Sequence, residues 1–213
     1  MNVWLLAAAL FCGPPPVEDG SLLFLENSNQ FVELYTGSEI THVAMLINVD
    51  GEPWVYEATP SVVRGLTWTD YYAELGELNK RRAEAQKIRV WLVRPRSPYK
   101  PEQVTALRES MQAQVGRRYS VKSYVRGKSD GIHCAELATR ALCAASVLTV
   151  DQPQSECPST LLEKIKPVSK PLAAIHITEP ETRASWSERS WSNCAGFGSW
   201  CGWSCWEAWS FCW

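Results

Sequence analysis

From Asp19 onward the chain alternates short apolar runs with helical stripes. Gly20-Ser21-Leu22-Leu23-Phe24-Leu25-Glu26 reads as a buried strand, and a short helix around Gln30 to Tyr35 ends at Thr36-Gly37-Ser38. Two β-type runs follow, His42 to Val49 and Pro53 to Ala58, separated by Asp50-Gly51. An Asp-Gly pair between such runs is the strongest short-range hairpin signal a sequence carries, because both turn positions need positive φ. Thr67 to Leu75 predicts a helix opened by a threonine cap, Leu78 to Gln86 a charged surface stretch, and Lys87 to Arg94 a strand closed by Pro95 and Pro98.

Pro101 suits a first helical turn, and Val104, Leu107, Met111 and Val115 then recur at helical spacing until Gly116. A loop rich in Gly, Ser and charge runs to Gly131. From Ile132 to Leu148, apolar residues at 137, 138, 141, 142, 145 and 148 form one stripe. Cys134 falls on that stripe in the helix's first turn. Thr160 to Ile165 predicts another short helix, and Leu172 to Thr178 alternates like a strand.

These elements predict one α+β domain over 19–180, which suits a chain of 213 residues. Residues 1–18 hold about ten apolar residues ending at Cys12 and Gly13-Pro14-Pro15-Pro16, too few to span a bilayer. The length suits the apolar part of an export signal, although no Lys or Arg precedes it and bulky Phe11 fits a cleavage or lipidation site poorly. Residues 181–213 form a Trp-, Cys- and Ser-rich tail in which Trp200, Trp203, Trp206 and Trp209 recur every three residues. Its cysteines, Cys194, Cys201, Cys205 and Cys212, are spaced too widely for the usual zinc knuckle. An unstructured appendage is the plainest reading of this tail, with disulfides, zinc binding or aromatic adhesion to a membrane or cell wall as the alternatives.

A net charge of −2 with 21% charged residues supplies no basic field, so nucleic acid is not an expected partner. The chemistry concentrates elsewhere. A cysteine is a nucleophile only as its thiolate, and the open amides of a helix's first turn favour negative charge there. Free cysteines are also commonly small buried hydrophobes, as Cys143 on the same helix is expected to be, so position alone leaves Cys134 balanced between the two roles. His42 opens an otherwise apolar strand. With a two-residue turn, Val49 faces Glu52, Ala44 faces Glu57 and His42 faces Thr59, which makes Glu57 a same-face diagonal neighbour of His42 within side-chain reach. Such a carboxylate would hold the imidazole in one tautomer, as the third member of a catalytic triad does.

Four segments together resemble circularly permuted papain-like cysteine hydrolases of the NlpC superfamily, in particular the YiiX/YebB-like branch. They are Asp19-Gly20-Ser21-Leu22-Leu23-Phe24, Thr41-His42-Val43-Ala44-Met45, Val55-Tyr56-Glu57-Ala58 and Cys134-Ala135-Glu136-Leu137. Gly116-Arg117-Arg118-Tyr119 is a fifth, weaker match. The resemblance implies a permuted papain-like fold with the histidine strand before the cysteine helix. It also implies Cys134 as nucleophile, His42 as base, Glu57 as polar third member and the Cys134 amide in the oxyanion hole. Tyr119 and His133 are the expected substrate-binding residues. The sequence departs from the family pattern at His133 and Ala135, where Tyr and Ser are usual, and at Ser120, where an acidic residue is common.

The expected activity is hydrolysis of an amide or ester, in a cell-wall peptide or an acylated small molecule or lipid, through an acyl-enzyme and without metal or organic cofactor. An export signal would place it at the cell envelope. Two rivals remain: a noncatalytic binding or adhesion protein acting through the tail, and His176 as base, which is where unpermuted papain-like enzymes carry their histidine.

Overall fold

The computed structural model describes residues 17–121 and 130–177. The expected export segment through Pro16 and the Trp-rich tail therefore lie outside the described residues. Six strands form one antiparallel sheet: β1 (Ser21–Glu26), β2 (Ile40–Val49), β3 (Glu52–Ala58), β4 (Val63–Thr67), β5 (Arg89–Val93) and β6 (Ala173–Ile175). Their spatial order is β4-β3-β2-β1-β5-β6. The helices are α1 (Gln30–Thr36), α2 (Trp68–Lys80), α3 (Pro101–Gln112), α4 (Cys134–Ala144) and α5 (Pro158–Ile165).

The apolar run of β1 is explained by its central place, since it pairs with β2 on one side and β5 on the other. Alternate residues feed two cores. Leu22 and Phe24 join Val43, Met45 and Ile47 of β2 in a core closed by α3, α4 and α5. Leu23 and Leu25 join Ala44, Leu46 and Val55 in a second core closed by Trp68, Tyr71 and Leu75 of α2. Each fully buried aliphatic or aromatic side chain contributes roughly 1.5–3 kcal/mol by leaving water, so the covered faces hold the sheet between its helices.

The β2–β3 hairpin turns at Asp50 (φ 52°) and Gly51 (φ 86°), the two left-handed positions of a tight primed turn, and sets the register Val49↔Glu52. Thr67 caps α2 by accepting a hydrogen bond from the Asp70 amide. The expected first strand, the short helix at Gln30, the strand ahead of Pro95 and the helices at Pro101, Cys134 and Thr160 are also present, and four details differ. The strand β4 was not expected, because Arg64 and Gly65 interrupt its pattern. The helix α2 continues to Lys80, into the start of the stretch expected as charged surface. Its buried Asn79 exchanges side-chain hydrogen bonds with the backbone of Ile88, which ties the helix end to β5.

Helix α3 stops at Gln112, and Val115, counted on its apolar stripe, is exposed. Gly116 instead takes φ 85° and donates to the Val63 carbonyl, joining this turn to the start of β4. Strand β6 forms within the run expected as a strand from Leu172, but as a short, mostly exposed edge over Ala173–Ile175.

Just ahead of α4 the chain is pinned to the segment after α3. Ile132 donates to the Arg118 carbonyl, and Ser120 donates to the Ile132 carbonyl. At Gly131 a Cβ would meet Ser120 Cβ at 2.4 Å and the Arg118 oxygen at 2.9 Å, so only glycine fits. Gly131→Ala is expected to lower the unfolding free energy by about 1–3 kcal/mol, the usual cost of overpacking against backbone. Denaturant unfolding measures this, and an unchanged midpoint would show that the two segments can part without loss.

Candidate active site

Helix α4 begins at Cys134, with His133 as its cap. The His133 Nδ1 accepts from the Glu136 amide at 3.3 Å, its carbonyl accepts from Leu137, and its Nε2 lies 3.1 Å from the Gln154 carbonyl. These contacts leave the amides of Cys134 and Ala135 as first-turn donors with no carbonyl behind them in the helix. Cys134 is 3% exposed and belongs to the core beneath α3, α4 and α5.

His42 reaches the site from β2 and Glu57 from β3. The β2–β3 ladder runs from Val49↔Glu52 to Met45↔Tyr56, and one further step in that register sets Glu57 across from Ala44, diagonal to His42. The His42 Nε2 lies 2.8 Å from Glu57 Oε2. Glu57 is only 1% exposed, yet two partners hold it as a carboxylate. Burial alone would raise its pKa, but the hydrogen bond from His42 and the charge of Arg64 bring it down to about 2. An ionised carboxylate has no proton to give, so the His42 Nε2–H is the donor and Nδ1 is the nitrogen left for a thiol.

Strand parity adds a feature that the sequence does not show. Leu25 and His42 are cross-strand partners, as are Glu57 and Arg64, and the neighbouring positions Ala44, Val55 and Leu66 pack toward α2. His42, Glu57 and Arg64 therefore belong to the α2 face, whereas Cys134 belongs to the opposite layer. The thiol and the ring meet beyond the last β2–β3 pair.

Burial disfavours the Cys134 thiolate, but the His42 charge and contacts from His133 and His42 more than offset it and bring the thiol down to about 5. Burial likewise disfavours the charged His42 ring, and the Cys134 sulfur together with Glu57 raises it to about 10. The two groups titrate as a unit, and the arrangement favours a thiolate–imidazolium pair between those values.

The other expected residues lie as follows. His133 is buried beside the Cys134 thiol, its Nδ1 capping α4 and its Nε2 against the Gln154 carbonyl. Burial lowers its pKa, and the Cys134 sulfur and Gln154 carbonyl outweigh that to raise it. Tyr119 is half-buried against the α4-side core, its backbone bridged to Ile132 just ahead of Cys134. His176 is exposed beyond β6, three strands from β2, and its carbonyl accepts from the Tyr72 hydroxyl. Cys143 is half-buried on α4, and Cys134, Cys143 and Cys157 are free thiols.

Sequence reasoning missed Arg64, Glu74 and Tyr71. The Arg64 Nε donates to Glu57 Oε1 at 2.7 Å, and its Nη2 bridges Glu57 Oε1 at 2.6 Å and Glu74 Oε1 at 2.9 Å. Tyr71 of α2, fully buried, faces the same carboxylate. The usable signal was the spacing of Glu57 and Arg64 across a tight turn, had β4 been recognised.

No protein-family model matches the sequence. No curated protein matches it either. Among solved structures, the metalloprotein yiiX from Escherichia coli O157:H7 is similar with a TM-score of 0.55 and 16% identity, over 77% of this chain and 99% of that one. At that identity the likeness concerns the fold alone, and it makes the α+β architecture of this chain YiiX-like.

Proposed function

We propose that this protein is a cysteine hydrolase of the permuted papain-like kind, with Cys134 as nucleophile, His42 as base and Glu57 as the group that orients the ring. The observation that carries the reading is the buried Glu57 carboxylate 2.8 Å from His42 Nε2, which turns the other ring nitrogen to the Cys134 thiol at a helix N-terminus. Nδ1 takes the thiol proton, and the thiolate attacks an amide or ester carbonyl. The amide of Cys134, pointing out of the first turn, supports the developing oxyanion. The imidazolium then protonates the leaving group, giving a thioester on Cys134, and the neutral ring activates the water that hydrolyses it.

The substrate class that goes with this reading is a cell-wall peptide or an acylated amine or lipid, met at the cell envelope if residues 1–18 direct export. The relative's description as a metalloprotein finds no counterpart in these residues: no three His, Cys, Asp or Glu side chains converge in a metal-holding group among the described residues. Both Glu57 oxygens are already committed, one to His42 and one to Arg64.

Alkylation by iodoacetamide, followed peptide by peptide to separate Cys134 from the other cysteines, tests the pair. Cys134 is expected to label with an acid limb near pH 5. His42→Ala should move that limb up toward the ordinary thiol value of about 8.5, whereas His176→Ala should leave it in place. Equal labelling of Cys134 at pH 6 in the His42→Ala variant would remove His42 as its base.

Turnover requires both the thiolate and a ring proton for the leaving group. Hydrolysis should therefore rise through about pH 5 as Cys134 ionises and fall through about pH 10 as His42 loses its proton. A screen of cell-wall peptides against acylated amines and lipids, read by mass spectrometry for an acyl adduct on Cys134, would identify the substrate. Failure of every class to acylate a thiol that labels at pH 6 would favour the binding-protein reading.

A further inference from the structure

The Glu57 carboxylate has two occupied oxygens, and only one of them serves His42. Oε2 meets the ring, while Oε1 takes two contacts from Arg64, which in turn holds Glu74 on α2. A carboxylate gripped at one oxygen by a planar guanidinium cannot rotate about its last bond without losing those contacts. Arg64 is thereby fixed between β4, β3 and α2, with its exposed side toward solvent and its charge toward the site.

We propose that Arg64 is a positioning residue of this site: it locks the plane of Glu57, and through Glu57 the orientation and tautomer of His42, while its charge keeps the cluster from accepting a further proton. This rests on the cysteine-hydrolase reading for its consequence but not for its geometry. The charged and titratable groups that face the cluster are His42 from β2, Glu57 from β3, Tyr71 and Glu74 from α2, with Asp70 beside Glu74, and Cys134 and His133 from α4.

The signs follow from charge. Counting Cys134 as thiolate, His42 as imidazolium, Glu57, Arg64 and Glu74 as ionised, the cluster carries one net negative charge, and the transfer of the thiol proton to His42 leaves that total unchanged. Removing the guanidinium adds a second negative charge in a buried place, which raises the pKa of every group around it. Removing the Glu74 charge does the opposite. Lysine keeps the charge of Arg64 but has no planar fork, so it separates charge from orientation.

The test uses the full chain and two readouts that need no substrate. In alkylation of Cys134, the acid limb is expected to rise by roughly one pH unit or more in Arg64→Gln, to stay in place in Arg64→Lys, and not to rise in Glu74→Gln. In proton NMR with labelled imidazole, the downfield Nε2 proton of His42 should be present in the wild type and lost or broadened in Arg64→Gln, where Glu57 is free to turn. An ordinary structural ion pair would lower the melting temperature of Arg64→Gln and leave both readouts unmoved in the folded protein at lower temperature, which overturns the proposal. A wild-type limb at the ordinary thiol value instead removes the hydrolase reading. The His42 proton resonance then decides the Arg64 assignment alone, and its retention in Arg64→Gln overturns it.

Discussion

A carboxylate that is 1% exposed is the constraint around which this structure is arranged. Taking an ionised group out of water costs several kcal/mol, and the cost is offset only when hydrogen bonds and opposite charge satisfy both oxygens. Glu57 meets that condition through His42 on one side and Arg64 on the other, so β2, β3 and β4 must keep their relative register for the charge to be tolerated. Breaking such a buried pair from one side typically costs about 3–5 kcal/mol, much more than an exposed ion pair contributes. The ion pairs of Lys166 with Glu163 and of Lys80 with Glu77, on exposed helix turns, are of that lesser kind.

The same carboxylate explains why the site sits at an end of the hairpin and not in its middle. The sheet separates a layer containing α2 from a layer containing α4. Past Met45↔Tyr56 the β2–β3 pairing ends, and there a ring from the α2 face can meet a thiol from the α4 layer. The thiol is brought to that point by a rigid approach: Gly131 against Ser120, Ile132 bridged to Tyr119, and His133 capping the helix while it holds Gln154. The residues ahead of Cys134 thus act as a mount for its thiol.

Local chemistry made part of this legible. Asp50-Gly51 sets the turn length, turn length sets the register, and register makes Glu57 a diagonal neighbour of His42 without any knowledge of the rest of the chain. Cys134 in a first helical turn follows from the stripe of small apolar residues behind it. What stayed hidden depends on contacts between segments whose local patterns are weak. Arg64-Gly65 breaks the alternation of β4, so neither the strand nor its direct pairing of Arg64 with Glu57 could be anticipated. Glu74 and Tyr71 required the exact rotation of α2 above that strand. The capping contact of His133 was also hidden, because histidine is an uncommon cap and periodicity says nothing of the position before a helix begins.

The consequence for chemistry is that the two halves of the site have different electrostatic tasks. On the α4 side, open first-turn amides and the capped helix end favour a negative sulfur. On the α2 side, Glu57 favours a positive ring, and by itself a buried carboxylate beside a thiolate would also repel the sulfur. Arg64 resolves that conflict. Its charge offsets Glu57 as seen from Cys134, while its grip on Oε1 leaves Oε2 free to hold the ring. Without Arg64, the Glu57 charge would stabilise the imidazolium and destabilise the thiolate together. With Arg64 in place, the thiolate is less opposed by Glu57, while Oε2 still holds the ring.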